Sequence, residues 1–478
     1  MRKTIIITAV TFITLLSCSK SNSANWKDLA NSDLQKGDFA KVETTLNSLS
    51  PQQKEQNKLT IDSFKAIMNR IRYDFSMTPE EGIAKISEKY PTINDSIVKD
   101  WKSKKYLETM TIDGKEYWFR KAVRNLWLLN NEDFAEANLK EKKNDHKNHY
   151  NDYVGFMTQL PDSNNVRDWR NMAITFTLDV KPNSVPEGEI IRAWLPFPFN
   201  NGRQRNMQLI SSSSNPTFSK GSLHHTIYME QAAKKDVPTH FEMVLSYEVG
   251  AEVYPADSVL ANLKPYNKSS KLYKKYTSEE LPHILVNKQM ASLAKQIIGS
   301  ETNPYKQVSK IYDWISDNFP WAGARDYSTL PNIPEYVLGI KHGDCGQVSL
   351  LYISLLRSIG IPARWESGWE ISKRGTGYHD WTEVYYEGIG WLPSDISHGR
   401  SVNDEYLNDF YKTSIDANRF ATNEGICSPL EPKKKFIRCE TVDFQAGEVE
   451  WTGGNIPSSN WNSDLKINNI EHLSNKTE

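Results

Sequence analysis

The chain has 478 residues, more than one compact core usually contains, so two or three domains are expected. Its 58 Lys and Arg residues nearly balance 59 Asp and Glu residues, which gives a formal net charge of −1. Without a basic excess the chain has little to neutralise a phosphate backbone, so we expect no nucleic-acid partner. The 38% hydrophobic content and 14 Trp residues indicate folded domains and exclude a disordered chain.

The N-terminus is typical of a bacterial secretory signal. Arg2 and Lys3 precede an apolar stretch at 5–16, which is too short to span a bilayer as a mature helix. The following Leu-Leu-Ser-Cys resembles the processing site of bacterial lipoproteins, which implies that residues 1–17 are removed and that Cys18 carries lipid. We therefore expect a lipid-anchored protein of the bacterial cell envelope, periplasmic or at the cell surface. An ordinary secretory signal with an incidental Cys is the alternative.

Residues 25–150 are predicted to form a mainly helical domain, because apolar residues recur at helical spacing from Leu29 onwards. Thr78-Pro79-Glu80-Glu81 has the pattern of a capping box with Pro in the first turn. One exception to the helical pattern is Asp113-Gly114, which lies between two short apolar runs and predicts a hairpin.

Residues 170–255 change to the alternating pattern of β-strands. Met172–Val180 and Phe241–Val249 alternate, and turn-forming clusters separate the segments. This pattern predicts an antiparallel β-sandwich-like domain. His224 and His225 are adjacent, so on a strand they would point to opposite faces, and we interpret them as surface or edge residues rather than metal ligands.

Residues 280–443 alternate helix and strand after two predicted helices near 286–298 and 304–318, and they form the third predicted domain. The Asn- and Ser-rich segment 444–478 is predicted to be a partly ordered tail. The complete prediction is an α+β fold, in which the helical region and the β-sandwich-like domain precede the domain that carries the chemistry.

Cys345 lies in Gly-Asp-Cys-Gly at 343–346, directly before a helical apolar face that ends at Gly360-Ile361-Pro362. The Cys is therefore predicted at a helix N-terminus, where unpaired N–H groups and the positive end of the helix dipole favour a thiolate. Taken alone, a Cys at this position is more often a packed thiol than a nucleophile.

His379 and Asp395 lie on two predicted strands of one hairpin that turns near Gly388. A Cys on a helix, followed by a His and a carboxylate on strands, supplies a nucleophile, a base and a residue that orients the base. A two-residue turn would place Asp395 opposite Thr382, on the wrong face for His379. We therefore predict a one-residue bulge near Pro393, which would bring Asp395 opposite Trp381 and onto the face of His379.

Several blocks in this region resemble successive motifs of the bacterial transglutaminase-like superfamily. They are Gly-Asp-Cys-Gly at 343–346, Pro-Ala-Arg-Trp-Glu-Ser-Gly-Trp at 362–369, His-Asp-Trp-Thr-Glu-Val-Tyr at 379–385, Gly-Trp-Leu-Pro-Ser-Asp at 390–395 and Asp-Ala-Asn-Arg-Phe at 416–420. The resemblance covers roughly residues 285–430. It implies a papain-like α+β core with Cys345 on a helix and with His379 and Asp395 on adjacent antiparallel strands, as the three members of a catalytic triad.

The resemblance also implies an aromatic side chain that shapes the site about two dozen residues before the nucleophile, and Trp321 is the candidate. Asp380 departs from the pattern, because members usually have a small residue after the His. A carboxylate there could raise the pKa of His379 or face solvent. The oxyanion hole needs the backbone N–H of Cys345 and a second donor, which the sequence does not identify.

The remaining cysteines, Cys427 and Cys439, are close in sequence and could form a disulfide, which would leave Cys345 free. A zinc site is the rival interpretation of the reactive residues, but their spacing matches no common zinc motif. We therefore predict neither a metal nor a cofactor.

These observations predict a thiol-dependent acyl-transfer enzyme that hydrolyses amide bonds, a peptidase or amidase, through an acyl-enzyme. The expected partners are a peptide, protein or glycopeptide substrate and, through lipid on Cys18, a membrane. Two alternatives stay open at this point. One is a transglutaminase that cross-links proteins, and the other is a non-catalytic lipoprotein that binds a glycan or a protein.

Overall fold

A computed structural model describes residues 25–130, 165–372, 375–397 and 405–473. The predicted signal peptide, Cys18 and the last 20 residues of the predicted helical domain lie outside these ranges. Within the described residues, no helix is both long enough and apolar enough to cross a membrane. The chain divides into two compact units. Of the described residues, unit 1 contains 25–130 and 320–331, and unit 2 contains the others.

Unit 1 is mainly helical. Its elements, in chain order, are α1 (Asn25–Lys36), α2 (Phe39–Asn47), α3 (Pro51–Gln56), α4 (Lys58–Asp74), α5 (Pro79–Ser87), α6 (Asp95–Ser103), β1 (Thr109–Ile112), β2 (Lys115–Trp118) and α7 (Ala122–Leu129). The predicted capping box is confirmed at the start of α5, where the Thr78 side chain accepts from the Glu81 N–H. The predicted hairpin is confirmed as well, since β1 and β2 pair across Asp113-Gly114, both with positive φ.

Segment 320–331 belongs to unit 1 although it interrupts the predicted domain 280–443. The Asn125 side chain exchanges two hydrogen bonds of 2.9 Å with the backbone of Gly323, and the Asp326 N–H donates to Asp74 at 2.6 Å. Buried polar groups that are satisfied only by another segment fix that segment in place. The sequence pattern gave no sign of this excursion, because it depends on hydrogen bonds between residues about 200 positions apart.

Unit 2 contains the remaining elements. Its strands are β3 (Val166–Val180), β4 (Ile190–Pro196), β5 (Gln204–Ser212), β6 (Thr217–Phe218), β7 (Thr226–Ala232), β8 (Thr239–Glu252), β9 (Ala363–Ser372), β10 (Gly375–Tyr386), β11 (Gly390–Ser394), β12 (Arg419–Asn423), β13 (Glu448–Trp451), β14 (Gly454–Asn455) and β15 (Trp461–His472). Its helices are α8 (Ala256–Asn262), α9 (Lys271–Tyr276), α10 (Lys288–Ile298), α11 (Pro304–Asn318), α12 (Ile333–Ile340), α13 (Cys345–Ser358) and α14 (Glu405–Thr413).

The strands of unit 2 form antiparallel sheets with the orders β15-β3-β8-β5, β14-β13-β4-β7-β6 and β11-β10-β9-β12. The first two sheets bury their alternating apolar residues in one common core, as a β-sandwich does. The third sheet, β11-β10-β9-β12, carries α13 on one face, where the Tyr352 hydroxyl of α13 lies 3.2 Å from the Ser394 hydroxyl of β11.

The segment predicted as a partly ordered tail is built into the sandwich as far as residue 472. Strand β13 pairs with β4, and β15 pairs with β3 from Trp461 to His472. Apolar side chains such as Leu465 turn inward between the Asn and Ser residues, and Leu465 is buried against the sandwich core. The polar composition concealed this alternation, so the sequence did not indicate that the segment adds strands to the sandwich.

The sandwich and the third sheet share a core. Trp369 of β9 stacks on Phe176 of β3 with 5.4 Å between ring centroids, and Phe420 of β12 stacks on Tyr247 of β8. The regions that the sequence divides into domains 170–255 and 280–443 therefore lie in one compact unit, and residues of β9 and β12 complete the apolar core of the sandwich.

Candidate active site

Cys345 is the first residue of α13, as the sequence predicts. Asp344 is the N-cap, and its carboxylate accepts from the Gln347 N–H at 3.0 Å while the Gln347 side chain accepts from the Asp344 N–H. This capping box fixes the start of the helix at the Cys. The backbone N–H of Cys345 is then one of the N–H groups at a helix start that have no intrahelical acceptor.

His379 of β10 and Asp395, which follows β11, are brought together. His379 Nε2 lies 2.7 Å from Asp395 Oδ2, and both side chains are buried. Burial alone lowers the pKa of the imidazole, but the adjacent Asp395 carboxylate more than offsets this effect, so the pKa of His379 is raised above its ordinary value. Asp395 thus orients the ring through Nε2 and favours its protonated form.

The predicted bulge near Pro393 is wrong, although Asp395 does lie on the face of His379 that the bulge was meant to explain. Strands β10 and β11 pair without irregularity from Tyr386–Gly390 to Thr382–Ser394, including Glu383–Pro393. The one-residue shift arises in the loop, which has three residues and contains Gly388 with a φ of +90°. Continued by one residue, this register aligns Asp395 with Trp381, on the face of the strand that carries His379.

Arg419 of β12 is the buried cation of this group. Its Nε lies 3.4 Å from Asp395 Oδ2, and its Nη1 forms an ion pair with Asp416. Asp416 also accepts from the Tyr411 hydroxyl at 2.6 Å. Asp416 and Arg419 were noticed in the sequence only as part of a motif, and the structure shows that they surround the carboxylate that holds the imidazole.

The thiol of Cys345 has a different partner. Its Sγ lies 3.2 Å from Asp380 Oδ2 in hydrogen-bonding geometry. Asp380 is 5% exposed, so it does not face solvent, and the charges that shift the pKa of His379 are chiefly those of Asp395, Arg419 and Glu370. Both expected roles of Asp380 are therefore replaced by a contact with the nucleophile.

Asp380 is backed by residues from the segment between β12 and β13. Gln445 Nε2 lies 2.7 Å from Asp380 Oδ1 and also contacts the carbonyl oxygens of Gly368 and His379. The buried Asp443 carboxyl acts on Asp380 as well and raises its pKa. The sequence analysis missed Asp443 and Gln445, because they lie outside the recognised motifs and more than 60 residues after Asp380.

Strand β10 thus has two chemically different sides. Adjacent residues of a strand point to opposite faces, so His379 and Asp380 leave β10 in opposite directions. We call the group of His379, Asp395 and Arg419 the imidazole side, and the group of Cys345, Asp380 and Asp443 the thiol side. The ladder with β11 ends at Thr382–Ser394, so residues 379–381 lie beyond it on that edge of β10.

Burial raises the pKa of the Cys345 thiol, and the nearby Asp380 and Asp344 carboxylates raise it further. Burial together with Asp443 and Asp344 also raises the pKa of Asp380. The resting site therefore opposes the effect that a helix N-terminus would have on the thiol by itself.

The remaining predicted site residues are placed as follows. Trp321 lies in unit 1, with the Arg124 guanidinium 5.6 Å above its ring, and its role at the site stays a prediction. The predicted disulfide is wrong, since Cys427 and Cys439 are both free thiols. The backbone directs them to different partners, because the Cys427 N–H donates to Val442 and the Cys439 N–H donates to Glu448.

The interpretation of His224 as a surface or edge residue was wrong, whereas His225 is half-buried and directly precedes β7. His224 is fully buried, with Nδ1 lying 3.2 Å from Arg438, and His225 stacks on Phe199. Among the described residues, no cluster of His, Cys, Asp and Glu side chains has the arrangement of a metal site. His398, a member of the rival zinc set, lies outside the described residues.

Residues 291–396 match the family model described as the transglutaminase-like superfamily. An uncharacterised protein of Haemophilus influenzae is 25% identical over 343 residues, covering 61% of this chain and 89% of that protein. The uncharacterised protein YebA of Bacillus subtilis is 27% identical over 139 residues, which are 25% of this chain and 19% of YebA.

Among solved structures, a Cytophaga hutchinsonii protein described as a candidate cysteine protease aligns with a TM-score of 0.44 and 15% identity, covering 65% of this chain and 98% of that one. The periplasmic domain of TgpA from Pseudomonas aeruginosa aligns with a TM-score of 0.25 and 14% identity, covering 50% and 93% of the two chains. The matched family segment contains the start of α13 together with β10 and β11, which carry Cys345, His379 and Asp395. Residues 291–396 of the chain therefore form a transglutaminase-like domain.

Proposed function

We propose that this protein is a thiol-dependent amide hydrolase, a peptidase or amidase, in which Cys345, His379 and Asp395 act as a catalytic triad. The observation that carries the proposal is the buried 2.7 Å contact between His379 and Asp395, in a domain whose nucleophile candidate begins a capped helix. A His oriented by a carboxylate beside a Cys at a helix N-terminus is the arrangement that nucleophilic acyl transfer requires.

In the proposed reaction the thiol proton passes from Cys345 Sγ to His379. Because Nε2 is engaged by Asp395, Nδ1 is the nitrogen that would exchange this proton. The thiolate attacks the amide carbonyl, and the oxyanion that forms accepts a hydrogen bond from the Cys345 N–H. The imidazolium then protonates the leaving amine, which breaks the C–N bond and leaves an acyl thioester on Cys345. Attack by water on the thioester releases the acid and returns the proton to sulfur.

The test incubates the full chain, purified in mild detergent, with a library of peptides and glycopeptides, with and without a fluorescent primary amine. Hydrolysis predicts new carboxyl and amino ends without incorporation of the amine, and it predicts that Cys345→Ala abolishes turnover. Incorporation of the amine into the acyl product would instead show the cross-linking alternative. No turnover with any substrate class, together with binding to one of them, would favour the non-catalytic alternative.

We also propose that Cys18 is lipidated and anchors the protein to a membrane of the cell envelope. The support is the apolar segment 5–16, which ends in Leu-Leu-Ser-Cys and precedes polar residues. Metabolic labelling with an alkyne fatty acid is expected to mark the wild-type chain and to leave Cys18→Ser unmarked. Equal labelling of the two chains would contradict the anchor without affecting the proposal for the triad.

A further inference from the structure

The contact between Cys345 and Asp380 is the feature of the site that the triad does not use. The Asp380 Oδ2 lies 3.2 Å from the sulfur that reacts in the proposed mechanism. The proposed steps assign no role to this carboxyl, although it is the side chain that contacts the sulfur most directly.

The position of the Asp380 carboxyl is fixed by its surroundings. Gln445 contacts Oδ1 at 2.7 Å and is itself held by the carbonyl oxygens of Gly368 and His379 at 3.1 and 2.9 Å. The backbone of β9 and β10 therefore holds the Gln445 amide, which in turn holds the Asp380 carboxyl. Little conformational entropy is then lost when Oδ2 is directed at the sulfur.

The carboxyls of Asp380 and Asp443 act on each other's charge. Both are buried, and Asp443 raises the pKa of Asp380. Two buried carboxyls that interact in this way cannot both ionise at moderate cost. The carboxyl pair (Asp380 and Asp443) therefore carries about one negative charge, part of which lies against the thiol.

We propose that the carboxyl pair holds the Cys345 side chain as a protonated thiol in the resting site. The S–H donates to Asp380 Oδ2, and a thiolate in its place would stand beside a negative charge. Asp380 thus touches the reacting atom and sets the pH at which the nucleophile becomes available. In this form the inference rests on the proposed function, where the same proton later passes to His379.

Other charged groups act on this pair from each element packed around it. Asp344, the N-cap of α13, adds a second acidic side chain near both Cys345 and Asp380. Glu440 and Arg438, in the segment between β12 and β13, act electrostatically on Asp443 with opposite signs.

The proposal is tested by comparing two Asp→Asn variants, each of which should leave about one negative charge in the pair. In Asp380→Asn the remaining carboxylate is Asp443, and the sulfur contacts a neutral amide. In Asp443→Asn the remaining carboxylate is Asp380, in contact with the sulfur. The total charge is therefore matched, and only its distance from the sulfur differs.

The measurement is the rate at which iodoacetamide alkylates Cys345 in the full chain between pH 6 and 10, followed by mass spectrometry of the Cys345 peptide so that Cys427 and Cys439 do not contribute. At neutral pH the wild type is expected to react more slowly than glutathione. Asp380→Asn is expected to react at least about tenfold faster than the wild type, which corresponds to a fall of about one unit in the thiol pKa. Asp443→Asn is expected to react no faster than the wild type.

A wild-type rate above that of glutathione at neutral pH would overturn the proposal without any variant, so it stays testable if a substitution prevents folding. An Asp380→Asn rate equal to or below the wild type, or equal acceleration in both variants, would overturn it as well. Failure of the proposed function has a separate signature: Asp380→Asn would react faster, yet neither it nor the wild type would hydrolyse any amide.

Discussion

The two sides of strand β10 have opposite electrostatic effects on their titratable groups. On the imidazole side, the negative charges of Asp395 and Asp416 are matched by the buried Arg419, and the pKa of His379 is raised by its carboxylate partner. On the thiol side, Cys345 contacts Asp380, whose pKa is raised by burial and by the Asp443 carboxyl. One side stabilises a charged form of its reactive group, whereas the other suppresses it.

This difference shows that the reactivity of a nucleophile is not determined by its place on a helix alone. The start of α13 offers Cys345 unpaired N–H groups, which favour a thiolate by up to about 2 kcal/mol in partly buried geometries. A carboxylate within hydrogen-bonding distance acts in the opposite direction over a shorter range. The nearest charged group therefore decides the protonation state of the resting thiol.

The largest effect is expected from removal of the imidazole. His379→Ala should lower kcat/KM for amide hydrolysis by roughly 10²–10⁴-fold, because no side chain then accepts the thiol proton or protonates the leaving amine. His240→Ala is the matched control, since His240 is a half-exposed residue of the sandwich. If the activity of His379→Ala stays within tenfold of the wild type, His379 is not the acid–base group of the reaction.

Arg419→Ala tests whether the imidazole side depends on charge matching. Arg419 is fully buried between Asp395 and Asp416, so its loss leaves two buried carboxylates without their cation, at a cost of about 3–5 kcal/mol in the free energy of unfolding. Arg205→Ala removes the exposed pair with Glu248 and should cost less than about 1 kcal/mol. Chemical denaturation of both variants measures the difference, and equal losses would contradict the comparison.

Asp395→Asn is expected to move the acid limb of the activity profile. The Asp395 carboxylate is what raises the pKa of His379, so its neutralisation lowers that pKa and the ring stays neutral down to a lower pH. The acid limb of kcat/KM, which needs the neutral ring to accept the thiol proton, should shift to lower pH by about one unit. An unchanged limb would mean that another group is the base.

Asp380→Asn sharpens the comparison from the thiol side and has the smallest expected effect on turnover. A lower thiol pKa moves the alkaline limb of kcat/KM, where the free thiol ionises, towards lower pH and leaves the acid limb in place. Comparison of this profile with that of Asp395→Asn tests whether each side controls its own limb. A shift of the acid limb in Asp380→Asn would show that the two sides are not independent.

The sequence contained the local determinants of the site. The apolar face that follows Cys345 and ends at Gly360-Ile361-Pro362 was enough to predict the Cys at the start of α13. The structure adds the capping box formed by Asp344 and Gln347. His379 and Asp395 belong to one hairpin, whose register depends on 16 residues of chain, and their pairing was correctly anticipated even though the shift lies in the loop and not at Pro393.

The thiol side could not be predicted, because its members meet only through tertiary structure. Asp443 and Gln445 reach Asp380 from a segment that is held in place by β13 and β15, the strands that lie in the segment predicted as a partly ordered tail. Likewise, the excursion of residues 320–331 into unit 1 depends on partners far away in sequence. Local patterns identify which residues are reactive, whereas long-range packing decides which charges surround them.

The central claim is that Cys345 forms an acyl-enzyme with an amide substrate, and trapping that intermediate tests it most directly. The full chain would be mixed with an active substrate from the library, quenched in acid within milliseconds to seconds and mapped by mass spectrometry. We expect the mass of the acyl group on the Cys345 peptide of the wild type, and no acyl group on that peptide in Cys345→Ala. Hydrolysis that continues in Cys345→Ala, or an acyl group on another residue, would contradict the account.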